Sequence, residues 1–136
     1  MHKQIDLQKI EQSPDYISGY DAQLNVVIWN QAIASKYNIA KADAIGRNII
    51  DLFPFIVGDF RLQCLLDSIS EKKMFFFSAL PYTHEDRIYT QLIIPGKEEH
   101  NFQVLSVVRD HKRHNELYLR TDLLDGISTQ LPLSAE

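Results

Sequence analysis

The chain has 136 residues, which suits one ordinary domain and is too short for two sizeable cores. Its net charge of -4 argues against a broad nucleic-acid surface, because such a surface needs an excess of lysine and arginine. The single cysteine, Cys64, excludes an intramolecular disulfide and a cysteine-rich zinc site.

The first predicted elements are a weak helix and a β-hairpin. Residues 2–12 can form a short cap helix, which ends at a Ser-Pro-Asp sequence because proline disfavours the helical state at the residue before it. The segments Tyr16–Tyr20 and Val26–Trp29 are typical of strands, and the turn-forming residues between them predict a hairpin. Asn30 then occupies the N-cap position of a second short helix.

Short helical turns and one longer helix are predicted for the middle of the chain. Gly46 closes a first turn, and Asn48 can cap a second turn over 49–53. Apolar residues recur at helical spacing over 59–73, with Asp59 as the N-cap, so this segment predicts the longest helix.

The second half of the chain is predicted to be rich in strands. The segments 74–82, 87–94 and 102–108 have strand character and are separated by polar turns, and a helix is expected from about 110 to 124. Two groups of strands with helices between them indicate an α+β domain. We expect a five-stranded, mostly antiparallel sheet with the short helices on one face.

Four short motifs resemble those of the PAS family, and the resemblance covers about residues 5–120. They are Ser13-Pro14-Asp15, Trp29-Asn30, Ile45-Gly46-Arg47-Asn48 with the downstream Pro54, and Val107-Val108-Arg109-Asp110. Their order and spacing are those of the family. The resemblance implies a PAS-like core over 14–110, an N-terminal cap helix over 1–13, and a C-terminal exit helix with a loose tail over 111–136.

The resemblance also implies a role. PAS domains sense a ligand, light or redox state and pass a change along the exit helix, so we expect a signalling domain that regulates an output domain or partner protein. In a two-component system the output would lie outside this chain. The candidate exit residues are Arg109, Asp110 and Leu117.

Two common PAS cofactors are not expected. A flavin photosensor needs a reactive cysteine directly after Gly-Arg-Asn, and Ile49 stands at that position. Haem needs an axial histidine near the long helix, and residues 59–73 contain none. The identity of any cofactor therefore stays open.

A small apolar ligand would fit between the long helix and the sheet, since such a cleft is a natural small-molecule site. The expected lining residues are apolar or aromatic: Ile28, Ile49, Phe53, Leu62, Leu65, Leu66, Ile69, Phe75, Phe77 and Tyr89.

A homodimer is also expected. Strand alternation makes both faces of the segment 74–82 apolar, so its outer face needs a cover, either the first helix or a second subunit. The candidate interface residues are Ile5, Ile10 and Phe76. A ligand-free dimerisation or protein-interaction module is therefore the alternative to a sensor.

Catalysis, metal binding and membrane insertion have little support. None of the common catalytic motifs occurs, and a small enzyme of steroid-isomerase-like outline would need a carboxylate deep in an apolar pocket. His111 and His114 are three residues apart, but further metal ligands are not evident. No apolar run approaches the roughly 20 residues that span a bilayer, and no signal peptide is evident. We expect a cytoplasmic domain that binds no nucleic acid.

Overall fold

The computed structural model describes residues 6–81 and 88–111. In chain order the elements are α1 (Leu7–Gln12), β1 (Tyr16–Tyr20), β2 (Val26–Trp29), α2 (Gln31–Tyr37), α3 (Lys41–Ala44), α4 (Ile49–Leu52), a 3-10 turn (Pro54–Ile56), α5 (Phe60–Glu71), β3 (Phe75–Pro81), β4 (Ile88–Pro95) and β5 (Val104–His111). The strands form one antiparallel sheet in the order β2-β1-β5-β4-β3. The predicted α+β fold with a five-stranded antiparallel sheet is confirmed.

The sheet has an inner and an outer face, and each face carries its own apolar cluster. On the outer face, α1 packs Ile10 against a cluster that includes Ile17 and Leu105. On the inner face, the helices α2 to α5 cover a cluster that includes Trp29 and Leu65. None of the helices in the described part of the chain has the length and apolar character that a bilayer crossing needs.

A bulge in β2 lies between Val26 and Ile28 and places these two residues on opposite faces. Gly19 pairs with Ile28. The next residue of β1, Tyr20, pairs with Val26, so β2 contains one extra residue at this point. An extra residue reverses the alternation of side chains, and Val26 packs on the inner face whereas Ile28 packs on the outer face.

The Asn30 side chain connects the cap helix, β1 and α2. Its Oδ1 accepts hydrogen bonds from the backbone N–H groups of Ile33 at 3.1 Å and Ile17 at 3.2 Å. Its Nδ2 donates to the carbonyl oxygens of Ile10 at 2.8 Å and Asp15 at 2.9 Å. Asn30 is only 1% exposed, so water cannot replace these bonds if the side chain is removed.

The last strand is longer than predicted. The expected helix start at about 110 is wrong, because Arg109 and Asp110 continue the β5 ladder by pairing with Thr90 and Tyr89 of β4. Arg109 also forms an ion pair with Asp15, with Nε–Oδ1 at 3.0 Å and Nη2–Oδ2 at 3.2 Å. The predicted exit helix and Leu117 lie outside the described residues.

We expect Asn30→Ala to lower the free energy of unfolding by about 3 kcal/mol. The estimate combines about 1 kcal/mol for a lost N-cap with the cost of leaving buried backbone groups without partners. Urea unfolding measures the change. The matched control is Asn101→Ala at an exposed turn, which should change stability by less than about 0.5 kcal/mol. Equal effects of the two variants would contradict the connecting role of Asn30.

Candidate functional site

A cavity of about 410 Å³ lies between the inner face of the sheet and the helices that cover it. Its floor is formed by strand residues: Tyr16, Ser18, Tyr20, Tyr89, Gln91, Ser106 and Val108. Its roof and rim are formed by α2, α4, the 3-10 turn and α5: Ile33, Lys36, Tyr37, Ile49, Phe53, Phe55, Ile56, Asp59, Arg61 and Leu65.

The floor residues reach the cavity because side chains alternate along a strand. In β1, Ser18 faces the cavity and its neighbour Ile17 packs on the outer face. In β5, Ser106 faces the cavity and the neighbouring Leu105 and Val107 pack on the outer face. The antiparallel register of β1 and β5 places Ser18 directly opposite Ser106.

Polar side chains form a band across the floor. The Tyr20 hydroxyl donates to Ser18 Oγ at 2.8 Å, and Gln91 Nε2 donates to Ser106 Oγ at 3.0 Å. Since Ser18 and Ser106 face each other, these two pairs run from β1 over β5 to β4. We call Tyr20, Ser18, Ser106 and Gln91 the polar band.

The polar band carries no charge at neutral pH. Burial raises the pKa of the Tyr20 phenol far above its usual value, and the nearby Tyr37 raises it further, whereas the hydrogen bond with Ser18 acts in the opposite direction. Ser18, Ser106 and Gln91 have no ionisable side chain. The floor therefore offers hydrogen bonds and no charge.

The roof is apolar and aromatic. Asn48 caps α4 by accepting a hydrogen bond from the Ile50 N–H at 3.1 Å, as predicted, and this short helix directs Ile49 inward. Phe53 follows α4 and stacks on Trp29 with ring centroids 6.0 Å apart. It also meets the Tyr37 ring edge-on at 4.8 Å. The cavity thus combines a polar floor with an apolar roof.

At the rim, Asp59 has two structural roles. It caps α5 by accepting a hydrogen bond from the Arg61 N–H at 2.9 Å, and its carboxylate binds the Arg61 side chain, with Nε–Oδ1 at 2.8 Å. The hydrogen bonds from Arg61 lower the pKa of Asp59 although partial burial acts in the opposite direction. Asp59 is the acidic residue that lines the cavity, and Arg61 and the helix cap already occupy its carboxylate.

The cavity contains some of the predicted lining residues and not others. Ile49, Phe53, Leu65 and Tyr89 line it. The structure places the remaining candidates elsewhere: Ile28, Leu62, Leu66, Ile69, Phe75 and Phe77.

Each of these departures has a physical reason. Ile28 lies on the outer face because side chains alternate along β2 and its neighbour Trp29 packs on the inner face. Leu66 is 38% exposed, on the side of α5 that points away from the sheet. Phe77 contacts Phe60 with ring centroids 5.3 Å apart, so the start of α5 covers this part of β3. Leu62, Ile69 and Phe75 pack on the inner cluster beside the cavity.

The polar floor was not predicted from the sequence. Ser18, Ser106 and Gln91 stand inside strands whose other residues are mostly apolar, and a search for apolar lining residues passes over them. A usable signal exists, because a polar residue in the middle of a buried strand needs a partner or a function.

The structure also locates two of the three predicted dimer residues, Ile10 and Phe76. Ile10 is 3% exposed, because α1 covers the outer face with its own chain, so Ile10 offers little area to a second subunit. Phe76 is half-buried beside the same cluster. Ile5 lies outside the described residues.

Metal ligands are not clustered where the structure describes the chain. Within 6–81 and 88–111 no group of three or more His, Cys, Asp or Glu side chains is placed to hold a metal ion. His114, part of the histidine pair considered above, lies outside these ranges.

Comparison with known proteins finds likeness in structure. No protein-family model matches the sequence, and no curated protein matches it. Among solved structures, a sensory box sensor histidine kinase from Vibrio cholerae matches with a TM-score of 0.60 and 19% identity over 79% of this chain and 88% of that chain. The PAS domain of BvgS from Bordetella pertussis matches with a TM-score of 0.57 and 19% identity, over 85% of this chain and 86% of that one.

A third similar structure is the photoactive yellow protein domain of the sensor histidine kinase Ppr from Rhodospirillum centenum. Its TM-score is 0.60 at 12% identity, and the match covers 76% of this chain and 92% of that chain. These matches show that the chain has the PAS fold, as its sequence motifs predicted.

We expect Cys64 on α5 to be a slow nucleophile. Burial raises the pKa of its thiol, and the Asp67 and Asp59 carboxylates raise it further. Because the thiolate is the reactive form, iodoacetamide should label Cys64 at pH 7.5 more slowly than it labels free cysteine, and the midpoint of its pH–rate curve should lie above about 8.5.

The urea-unfolded chain is the control for this measurement, and it should label at the rate of free cysteine. The variant Asp67→Asn should shift the midpoint of the pH–rate curve downward, since one of the carboxylates that raise the pKa is then neutral. Labelling of the folded protein faster than free cysteine at pH 7.5 would show that Cys64 is activated, contrary to this expectation.

Proposed function

We propose that this PAS-fold domain is a sensory signal-transduction domain that binds a small molecule in its cavity and thereby regulates an output domain or partner protein. A cytoplasmic location belongs to the same proposal, since a reducing compartment suits the unpaired Cys64. The role is regulatory and not catalytic, and output chemistry would lie outside this chain.

The cavity is the observation that carries the proposal. Its volume of about 410 Å³ lies within the usual range of small-molecule sites, and a mostly apolar wall with a few oriented polar groups is typical of them. The paired Asp59 argues for binding over catalysis, because its carboxylate is held by Arg61 and by the start of α5.

The end of β5 is the proposed route by which the effect of ligand binding is transmitted from the cavity. Ser106 and Val108 of β5 line the floor, and the strand continues directly to Arg109 and Asp110. A second connection comes from Tyr16, which lines the cavity and donates from its hydroxyl to Asp110 Oδ2 at 3.3 Å. A ligand that displaces Tyr16 would therefore alter the last described residues of β5, which precede residues 112–136.

The proposal includes a homodimer, but with a smaller interface than the sequence predicted. With Ile10 covered by its own chain, a second subunit would contact the half-buried Phe76 and the exposed Leu7 of α1. The ligand-free interaction module remains the second candidate, and these two apolar residues on the outer face favour it.

Native mass spectrometry of the chain, purified without refolding, tests ligand binding and subunit number together. We expect a small non-covalent mass on the protein that disappears on denaturation. Ile56→Trp should abolish this mass, because Ile56 lines the cavity and the larger ring fills it. Ile50→Trp is the matched control, since Ile50 is exposed in the adjacent helix and should leave the bound mass unchanged.

Two results would contradict the proposal of ligand sensing. One is a bare protein whose thermal midpoint no compound in a metabolite library raises. The other is a bound mass that Ile56→Trp and Ile50→Trp retain equally. A bare dimer with no ligand response would support the interaction module instead.

The route through Tyr16 has its own test, by amide hydrogen exchange with and without the bound molecule. We expect binding to change exchange at residues 108–111 and expect Tyr16→Phe to reduce that change by more than half, because the hydrogen bond to Asp110 is lost. Tyr37→Phe is the matched control at the cavity rim. An unchanged response in Tyr16→Phe would exclude this route.

A further inference from the structure

The Gln91 amide is buried and lines the cavity, and only one of its two polar atoms forms a hydrogen bond within the described structure. Gln91 is 7% exposed, and its Nε2 donates to Ser106 Oγ at 3.0 Å. Its Oε1 receives no hydrogen bond from any residue that the structure describes. A buried amide oxygen without a donor costs stability, and native proteins retain few such groups without a functional reason.

The neighbouring hydroxyl completes a two-point recognition edge. Ser106 Oγ accepts the bond from Gln91 Nε2, and a hydroxyl that accepts a bond retains its own hydrogen to donate. An acceptor on Gln91 therefore stands beside a donor on Ser106. The complementary ligand edge carries an N–H or O–H donor next to a carbonyl-type acceptor.

The rest of the cavity sets the size and charge of the ligand. A volume of about 410 Å³ corresponds to roughly 14 waters at ~30 Å³ each, the room of a one- or two-ring molecule. The charged side chains that line the cavity, Lys36, Asp59 and Arg61, belong to α2 and to the start of α5. The polar band itself is uncharged, so an ionic group placed against Gln91 and Ser106 would have no counter-charge in the band. The roof residues Ile49, Phe53 and Leu65 offer an apolar surface to the opposite side of the molecule.

We propose that the cavity takes a neutral, planar, one- or two-ring molecule with a lactam-type edge, and that Gln91 Oε1 accepts its N–H while the Ser106 hydroxyl donates to its carbonyl oxygen. This inference rests on the proposed ligand-binding function and names the chemical class of the ligand. Gln91 is the residue that selects for the donor.

A pair of probes isolates this hydrogen bond. The bicyclic lactam 2-quinolone has the N–H and the carbonyl, and N-methyl-2-quinolone differs by the loss of the donor. Titration calorimetry with the full chain should show 2-quinolone binding about tenfold more tightly, the size of one net hydrogen bond to a buried acceptor. The anion quinoline-2-carboxylate should bind more weakly than 2-quinolone.

Variants then assign the selectivity to Gln91. In Gln91→Leu the two quinolones should bind with equal affinity, because the acceptor is gone. In the matched control Gln63→Leu, on the exposed side of α5, the tenfold preference should persist. Because Gln91→Leu also removes the donor to Ser106 Oγ, stability is compared in the double variant Gln91→Leu with Ser106→Ala. Its thermal midpoint without ligand should be equal to or higher than that of the unmodified chain, because both partners of the bond and the unpaired acceptor are replaced by apolar groups.

Should Gln91→Leu fail to fold, Ser106→Ala gives the second test, with an expected loss of affinity for both quinolones through their shared carbonyl. The inference is overturned by equal binding of the two quinolones to the unmodified chain, by no binding of either, or by a preference that survives in Gln91→Leu. A lower thermal midpoint in the double variant would show a structural role of the Gln91 amide and also count against the inference. A co-purified anionic ligand would overturn the ligand class while leaving the proposed sensing function intact.

Discussion

The buried amide of Asn30 is the connection on which the placement of the cavity depends. One side chain forms hydrogen bonds with the cap helix, with the backbone of Asp15 and Ile17 at the start of β1, and with the first turn of α2. By holding the N–H of Ile17, it fixes the strand whose inner residues Tyr16 and Ser18 form part of the cavity floor. The Asn30 side chain therefore positions both the cavity floor and α2, the helix that borders it.

The Asp15–Arg109 ion pair adds a second restraint between the start of the sheet and the end of β5. Asp15 is 3% exposed, and a buried ion pair depends on both partners, because either charge left alone is costly. The pair therefore couples the entry of the chain into β1 to the strand from which the chain leaves the described core. A disturbance at one end of this connection has an energetic effect at the other.

Strand β5 is the central strand of the sheet, between β1 and β4. Its side chains point alternately to the two faces. Ser106 and Val108 face the cavity, whereas Leu105 and Val107 pack in the outer cluster that α1 covers. This arrangement gives a cavity ligand and the cap helix access to the same strand. The proposed signalling route through β5 rests on this arrangement.

The polar band has a cost in stability that the proposed binding role would explain. An all-apolar floor would have closed more tightly on the helices, since buried apolar side chains pack without hydrogen-bond requirements. Instead, two serines and a glutamine line the floor with polar groups, and one amide oxygen receives no protein donor in the described structure. Binding sites often retain such costs because the same groups recognise the ligand.

Local sequence was sufficient wherever local hydrogen bonding decides the structure. Asn30, Asn48 and Asp59 cap the helices that follow them, as their positions predicted, because a cap involves only the next few residues. The strand segments were recognisable for a similar reason, since alternation and β-branched residues are local properties.

The predicted fold followed from the order of these elements, and some of the predicted lining residues border the cavity whereas others do not. Ile49, Phe53, Leu65 and Tyr89 line the cavity, because an apolar residue on a helix or strand that borders a cleft is recognisable from its pattern. Ile28 does not line it, since it pairs with Gly19 next to the inward pair of Ser18 and Trp29 and therefore packs on the outer face.

Only the tertiary structure decided the polar floor and the extent of β5. Ser18 and Ser106 face each other although they are far apart in the sequence, and no local pattern contains a cross-strand register. Arg109 and Asp110 are strand residues because β4 offers them partners, and Ile10 is covered because α1 folds back over the sheet. The sequence by itself determined the type and order of the core elements, whereas long-range pairing determined where β5 ends and which side chains meet, because register and burial depend on groups that are distant along the chain.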